Sequence, residues 1–449
     1  MTPDILSRYA RPVPRYTSYP TAPHFGPEVD ARRYGRWLGE LGAAGPFSLY
    51  LHIPFCRSLC WFCGCNMRVA NKSGPIDQYL ELLLKEIEMV ADGIGGRPRV
   101  SHIHLGGGTP TTLSASNFER LAEALRHRFD VAGDAAFAVE IDPRVLSAEQ
   151  ARALGSAGVN RASLGVQDFA PAVQKAINRI QPYEVTARAI DALRANGIAS
   201  INLDLLYGLP YQTVGSVAAT VERALTLSPD RLAVFGYAHV PWLKRHQRLL
   251  PEEAMPDAEE RLGQMAVVAS TLEAHGYVAV GLDHFARADD ALALALAQGA
   301  LRRNFQGYTA DGAETLIGLG VSAIGSLPQG YVQSSVELRA YADAIGRASF
   351  ATARGIALAD DDRLRRDIIE SLMCFLEAPV ARLCAAYGHT FGSFLAEWKT
   401  LDQMIEDGVV TLENGHLRVT RAGRPLVRAV CAVFDRYLGE GTARHSVAV

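Results

Sequence analysis

The chain has 449 residues, 49% of them hydrophobic and 21% charged, and its mean hydropathy is near zero. Such a chain can bury one or two cores without external staples. A formal net charge of −3 gives no global field to draw nucleic acid or an anionic membrane, so an anionic ligand must meet a local cationic patch.

The N-terminus, MTPDILSRYARPVPRY, has no apolar core of signal-peptide length, and no run elsewhere approaches ~20 uncharged apolar residues. The expected setting is therefore the cytoplasm, away from membrane, where thiols stay reduced. Residues 1–45, rich in Pro, Arg and Tyr, match neither helix nor strand periodicity and read as an extended arm lying over the rest.

From residue 46 short apolar runs alternate with amphipathic stretches. FSLYLHI precedes a helical pattern over 75–90, VSHIHL one over 114–129, and AFAVEI one over 147–154; RASLGV, SINLDLLY and RLAVFGYA continue the series. Strand then helix at this spacing predicts parallel strands joined by crossover helices. LDLLY and FAVEI are apolar almost throughout, which predicts strands covered on both faces, as in a full or partial (β/α) barrel. Chemistry then belongs at the C-terminal strand ends, where CRSLC, GGGTP, DPR, QD, GLP and HVP follow the six runs. The next segment, WLKRHQRLLPEEAMPDAEE, carries no interpretable motif. Residues 351–449 read as a small, mostly helical module with one hairpin, GVVTLENGHLRVT, turning at ENG.

Four of the seven cysteines fall in HIPFCRSLCWFCGCN. Cys56, Cys60 and Cys63 form C-x3-C-x2-C, with Cys65 two residues on. Structural zinc usually takes two separated pairs, and no second pair exists; a disulfide framework does not suit a reducing compartment. Three thiolates on one loop suit a [4Fe–4S] cluster with one iron left open. GGGTP reads either as a glycine-rich turn or as a backbone cradle for a cofactor. Glu140, Asp142, Gln167 and Asp204 end their strands where a nucleoside could be held, capping and ion pairing being the plainer readings. Arg179 belongs to a solvated helix face or to an anionic ligand. His102 and His104 share one strand face without a third metal ligand and read as satisfied strand histidines.

The C-x3-C-x2-C spacing is the signature of the radical S-adenosylmethionine (SAM) superfamily. PRYTSYPTA, LYLHIPFC, CWFCGCN, GGGTP, VEIDPR, LGVQDF, INLDLLYGLP, FGYAHVP, GLDHFA and RRNFQGYT, in this order, closely resemble the oxygen-independent coproporphyrinogen III oxidases. The resemblance implies an α/β fold, a partial (β/α)6 barrel with additional strands, and a smaller helical C-terminal domain. It implies two SAM molecules and a cluster held by Cys56, Cys60 and Cys63, with Cys65 not a ligand. One SAM would contact Tyr50, Phe62, Gly107, Glu140, Ala238 and Ile324, the other Gly108, Thr109, Gln167, Arg179 and Asp204.

The implied reaction is oxidative decarboxylation of the ring A and B propionates of coproporphyrinogen III, started by a 5′-deoxyadenosyl radical and giving protoporphyrinogen IX. The expected partners are that tetrapyrrole and an electron donor such as a flavodoxin or ferredoxin, for a monomer that binds neither nucleic acid nor membrane. Arg11, Arg15, Arg302 and Arg303 are the candidate propionate anchors, and the RPVPRYTSYP arm is expected to close over the substrate. The haem chaperone-like branch of the family keeps the three cysteines but lacks the PRYTSYP arm and the C-x-C; both are present here. A redox or zinc sensor is the rival of another class, and it would carry no iron chromophore.

Overall fold

The computed structural model describes residues 5, 8–42 and 45–439, so the outer ends of the expected arm and C-terminal module lie outside the described residues. Six strands follow one another across a single sheet: β1 (Phe47–Ile53), β2 (Arg99–Gly107), β3 (Asp130–Ile141), β4 (Arg161–Gln167), β5 (Ser200–Tyr207) and β6 (Arg231–Gly236). All neighbouring pairs among them are parallel. Their crossovers carry α2 (Gly74–Ile94), α3 (Ala115–Arg128), α4 (Ala148–Ser156), α5 (Tyr183–Ala195) and α6 (Val214–Leu225). Ser147 opens α4 with a capping box closed by Gln150, which the sequence places at the same point.

Further strands extend both edges. Beyond β6 come β8 (His284–Arg287) and then β7 (Tyr277–Val280), both pairings antiparallel. Beside β1 lies β9 (Thr315–Leu319), parallel to it, followed outward by antiparallel β10 (Ile324–Leu327), β11 (Gly330–Ser334) and β12 (Thr352–Ala357). The two edge strands, β12 and β7, do not pair, so the barrel is partial, with the additional strands the resemblance implies. The sheet runs on to Ala357, past the boundary expected at residue 350. The helical module begins after it with α8 (Asp360–Phe375), and its hairpin pairs Val410–Glu413 with His416–Val419.

The strands are not apolar on both faces. Leu49, Leu51, Ile103, Leu105, Val139, Leu164, Leu203 and Leu232 are buried toward the helices. The alternate residues, among them His104, Glu140, Ser163, Asn202, Asp204 and Arg231, line a chamber of about 180 Å³ inside the barrel. Residues two apart on a strand share a face. LDLLY therefore hides one carboxylate among leucines, and that residue alone faces the chamber. A hairpin, Arg302–Asn304 with Gly307–Thr309, contributes Asn304, Gln306, Tyr308 and Thr309 to the same chamber.

The arm departs from its extended reading. α1 (Ala31–Leu41) is helical, capped by the Asp30 side chain on the Arg33 N–H. It buries Tyr34, Trp37 and Leu38 in the barrel core, an i, i+3, i+4 spacing present in the sequence. Residues before it behave differently: Tyr9, Val13, Tyr16 and Tyr19 are buried in the core of the C-terminal module.

One buried carboxylate ties α2 to the far side of β1. Glu86 Oε2 accepts from Gly320 N–H (2.6 Å) and Tyr341 O–H (2.8 Å). Burial raises this carboxyl from 4.5 to about 7 against those two bonds. The folded state then holds the proton more tightly than the unfolded chain, so stability falls as pH rises from 4.5 toward 7. Glu86→Gln is expected to remove that decline, seen as a urea midpoint that stays level across the interval and exceeds the parent's at alkaline pH.

Candidate active site: a thiol loop at the barrel rim

Parallel register brings the ends of the first strands to one level: Ile53 lies beside Gly107, and Glu140 beside Ser163. Phe55–Cys56 pairs with Arg68–Val69, and this short bridge closes the cysteine loop across the end of β1. The loop is pinned from outside. Trp61 N–H donates to Ile177 O (3.0 Å) and Asn178 Nδ2 to Leu59 O (2.8 Å). Lys244 Nζ reaches Cys65 O (2.8 Å), Gln247 Nε2 reaches Phe62 O (2.9 Å), and the His246 ring lies 2.7 Å from Cys63 O. The segment without a readable motif is thus the clamp on the cysteines. Because its targets are backbone carbonyls, no residue pattern on the loop announces it.

Cations gather at the sulfurs. Arg144 Nη2 and Arg179 Nη1 each donate to Cys60 Sγ at 3.5 Å. Both also hold Asp142: Arg144 through Nε (2.9 Å) and Nη2 (2.6 Å), Arg179 at 3.3 Å. Burial opposes ionisation of Asp142, yet the two guanidiniums keep its carboxyl below the usual range. Arg179 is 5% exposed, so it lies on no solvated face, and its Nε–H has no partner among the described residues. Burial pushes the Cys56 thiol up to about 11. Contact with Cys65, through side chain and N–H, pulls the Cys63 thiol down.

Glycine is required beside the thiols. Gly107 has φ +118°, and a Cβ there would meet the His52 ring at 2.8 Å; at Gly108 it would meet Phe55 O at 2.6 Å. Only a bare backbone fits against His52 and Phe55, the residue before Cys56. Gly107→Ala is expected to lose about 1–3 kcal/mol of stability by urea denaturation, from positive φ and the clash with a buried ring.

Tyr50 contacts the His52 ring (3.0 Å), which in turn meets Asn66 O (2.9 Å). Glu140 accepts from Gly107 N–H (3.1 Å) and sits 3.1 Å from His104 Nε2. Burial works against its charge, but these two partners hold the carboxyl below its usual range. Asp204, bonded to Ser163 and Asn202, rises to about 6 through burial and the negative charge of Glu140. Gln167 stands at a bulge in β4 with φ +70°, which re-aims its side chain. Thr109 Oγ1 lies 3.5 Å from Cys56 Sγ. Ala238 follows β6, its carbonyl bonded to Gln247 (3.3 Å), and Ile324 opens β10. His104 is satisfied by Glu140, in line with its plainer reading.

Most of the expected residues therefore gather at one rim from separate strands; Tyr50 and Asp204 stand mid-strand instead, and Asp204, expected at a strand end, lies below the rim in the chamber wall. Arg144, Lys244, His246 and Gln247 join them unannounced; the DPR that follows β3 was the one available signal, for Arg144. The donor set fits a thiolate-held cluster: three free thiols on one loop, two guanidiniums on a sulfur, and side-chain-free backbone at Gly107 and Gly108 close by.

Comparison with known proteins follows the same division. The Radical SAM superfamily model matches residues 50–224, and the HemN C-terminal domain model matches 358–426, starting directly after β12. An oxygen-independent coproporphyrinogen III oxidase of Bradyrhizobium diazoefficiens is 53% identical over 97% of both chains. The chain belongs to the oxygen-independent coproporphyrinogen III oxidase family. The enzyme of that name from Escherichia coli K12 is 41% identical over 97% of this chain and 95% of its own. The solved structure of Escherichia coli coproporphyrinogen III oxidase (HemN), a radical SAM enzyme, superposes with a TM-score of 0.90 at 40% identity, covering 94% and 97% of the two chains. Both the barrel and the C-terminal helices lie within that superposition. Among the described residues no helix is long and apolar enough to cross a membrane.

Proposed function

We propose that this chain converts the ring A and ring B propionates of coproporphyrinogen III to vinyl groups without oxygen, giving protoporphyrinogen IX. The observation that carries the reading is the match to oxidases of that name along 97% of the chain, arm and C-terminal module included. Cys56, Cys60 and Cys63 would hold a [4Fe–4S] cluster by their thiolates. When bound, the cluster and SAM would supply the radical chemistry by which each propionate loses a hydrogen atom from its β-carbon, CO2 and one electron, the electron passing to an external acceptor.

The chain's own residues position and shield. Arg144 and Arg179 offset thiolate charge on Cys60, and the Lys244–Gln247 clamp keeps the loop closed. Gly107, with Glu140 and Tyr50, holds the first SAM together with Phe62, Ala238 and Ile324. Gly108, Thr109, Gln167, Arg179 and Asp204 line the place of the second. An external donor such as a flavodoxin or ferredoxin supplies the electron to a monomer in the cytoplasm.

The test is anaerobic. The protein is reconstituted with iron and sulfide, reduced, and given SAM and coproporphyrinogen III, with 5′-deoxyadenosine and porphyrin followed together by chromatography. Both products are expected. 5′-Deoxyadenosine without vinyl product would move the chain to another substrate or to the haem-binding branch.

A further inference from the structure

A second cavity, of about 520 Å³, lies behind the chamber wall. Val234, Gly236 and Phe285 give it the outer face of β6 and β8, and Met265 and Ala269 bring one side of α7 (Ala258–Ala274). Arg15 of the arm, Arg303 of the hairpin and the 421–428 segment of the C-terminal module close it. Six arginines line it (Arg15, Arg261, Arg303, Arg421, Arg424 and Arg428) against two carboxylates, Glu273 and Asp283. In a chain of net charge −3 this is a concentrated reversal of sign.

Four of the arginines are tied to backbone carbonyls. Arg15 donates to Gly236 O (2.9 Å), Arg261 to Tyr237 O (3.0 Å), Arg303 to Tyr16 O (3.2 Å) and Arg424 to Gly281 O (2.6 Å). Among the described residues none of these four forms an ion pair. Arg261 Nε and Arg303 Nη1 are buried without any hydrogen-bond partner. Burial and the neighbouring charge of Arg15 push Arg428 down to about 10. Crowding like charges in a shielded space costs free energy unless an anion joins them. Guanidiniums suit carboxylates in particular, by paired N–H donors.

The remaining lining is broad and apolar, with Tyr207, Tyr237, Leu262, Leu282 and Phe285. The volume is that of a site for a small-molecule ligand rather than a free phosphate or a single amino acid. Its wall with the chamber is one residue thick. Asp283 and Arg303 face the cavity, while their neighbours His284 and Asn304 face the chamber. At the rim Tyr237 lines the cavity, and Ala238, next in the chain, belongs to the expected SAM contacts.

We propose that this cavity seats the tetrapyrrole, its arginines binding the carboxylates that substrate and product share while the reacting propionates reach over the Gly236–Ala238 rim. The inference rests on the reading under Proposed function. It keeps Arg15 and Arg303 as anchors but not the other two candidates: Arg11 does not line the cavity and Arg302 pairs with Glu370 outside it. It adds Arg261, Arg421 and Arg424, which no sequence motif joins because they come from α7 and from the C-terminal module.

The experiment is a fluorescence titration of the full-length, cluster-loaded protein with coproporphyrin III, set beside its tetramethyl ester, which has the same ring and no charge. Arg261→Gln and Arg424→Gln are each expected to weaken coproporphyrin III about tenfold, the cost of one charge-assisted contact. Arg421→Gln, at an exposed position, gives a variant whose folding is not at stake, and Ala269→Trp fills the cavity without touching charge; both should weaken binding as well. The ester should bind weakly and equally to the parent and the arginine variants. In turnover the arginine variants should raise KM for coproporphyrinogen III, with SAM cleavage in the absence of substrate unchanged. Unaltered affinity in all four variants overturns the site, and if the parent still makes vinyl product the oxidase reading stands without it. A parent that binds coproporphyrin III through these arginines but makes no vinyl product keeps the site and removes the oxidase reading.

Discussion

Serine at Cys56, Cys60 or Cys63 is expected to bring bound iron and 5′-deoxyadenosine formation to background, measured by iron per chain, the visible absorbance of the reconstituted protein and product chromatography. A hydroxyl is a poor substitute for a thiolate toward iron–sulfur clusters. The three sulfurs also have different neighbours, Thr109 at Cys56, two arginines at Cys60 and Cys65 at Cys63, so no position can be covered by another. Cys65→Ala is the contrast. Its N–H, which donates to Cys63 Sγ at 3.4 Å, is backbone and survives the change. Iron should be retained, and loss of iron in this variant would make Cys65 a ligand.

The second large effect is expected at the other end of the molecule. Tyr16 is 3% exposed, packs in the C-terminal core, and donates its hydroxyl to Asp435 at 3.0 Å. Tyr16→Ala should cost about 3–5 kcal/mol by urea denaturation, the range for deleting a buried ring, whereas Tyr16→Phe should cost about 1 kcal/mol, one hydrogen bond. Removing residues 1–22 takes away Tyr9, Val13 and Tyr19 too, and with them the carbonyls of Val13 and Pro14 that accept from Arg428. Such a deletion is expected to unfold the C-terminal module along with any loss of vinyl product. Arg15→Gln is the substitution that separates the arm's charge from its packing.

How much of this could be read from residues depends on whether a feature is local. The six barrel strands and the helices between them stand within a few residues of their sequence positions because each carries its own periodicity, and the ENG hairpin closes where Asn414 and Gly415 supply two positive φ angles. The rim residues were legible because glycines, carboxylates and cysteines follow strands, and strand ends of a parallel barrel converge. The polar chamber was not, since alternation with isolated His, Ser, Asn and Asp looks like an ordinary apolar run. α1 was legible in its Tyr34, Trp37 and Leu38 spacing but was overshadowed by the Pro-rich residues before it. The arginine cavity and the Lys244–Gln247 clamp are products of tertiary placement, assembled from segments far apart in sequence and aimed mostly at backbone.

The union of Tyr9, Val13, Tyr16 and Tyr19 with residues beyond 360 sets an order of assembly. Contacts between the two ends of a chain this long carry the largest loop-closure entropy and cannot form until synthesis has reached the second partner. The six central strands, β1 to β6, pair with sequence neighbours and need no such wait. A nascent chain therefore has its six central strands, cysteine loop included, available to pair before the arm has anywhere to dock, and the fastening of the N-terminus into the last core is the closing step of the fold.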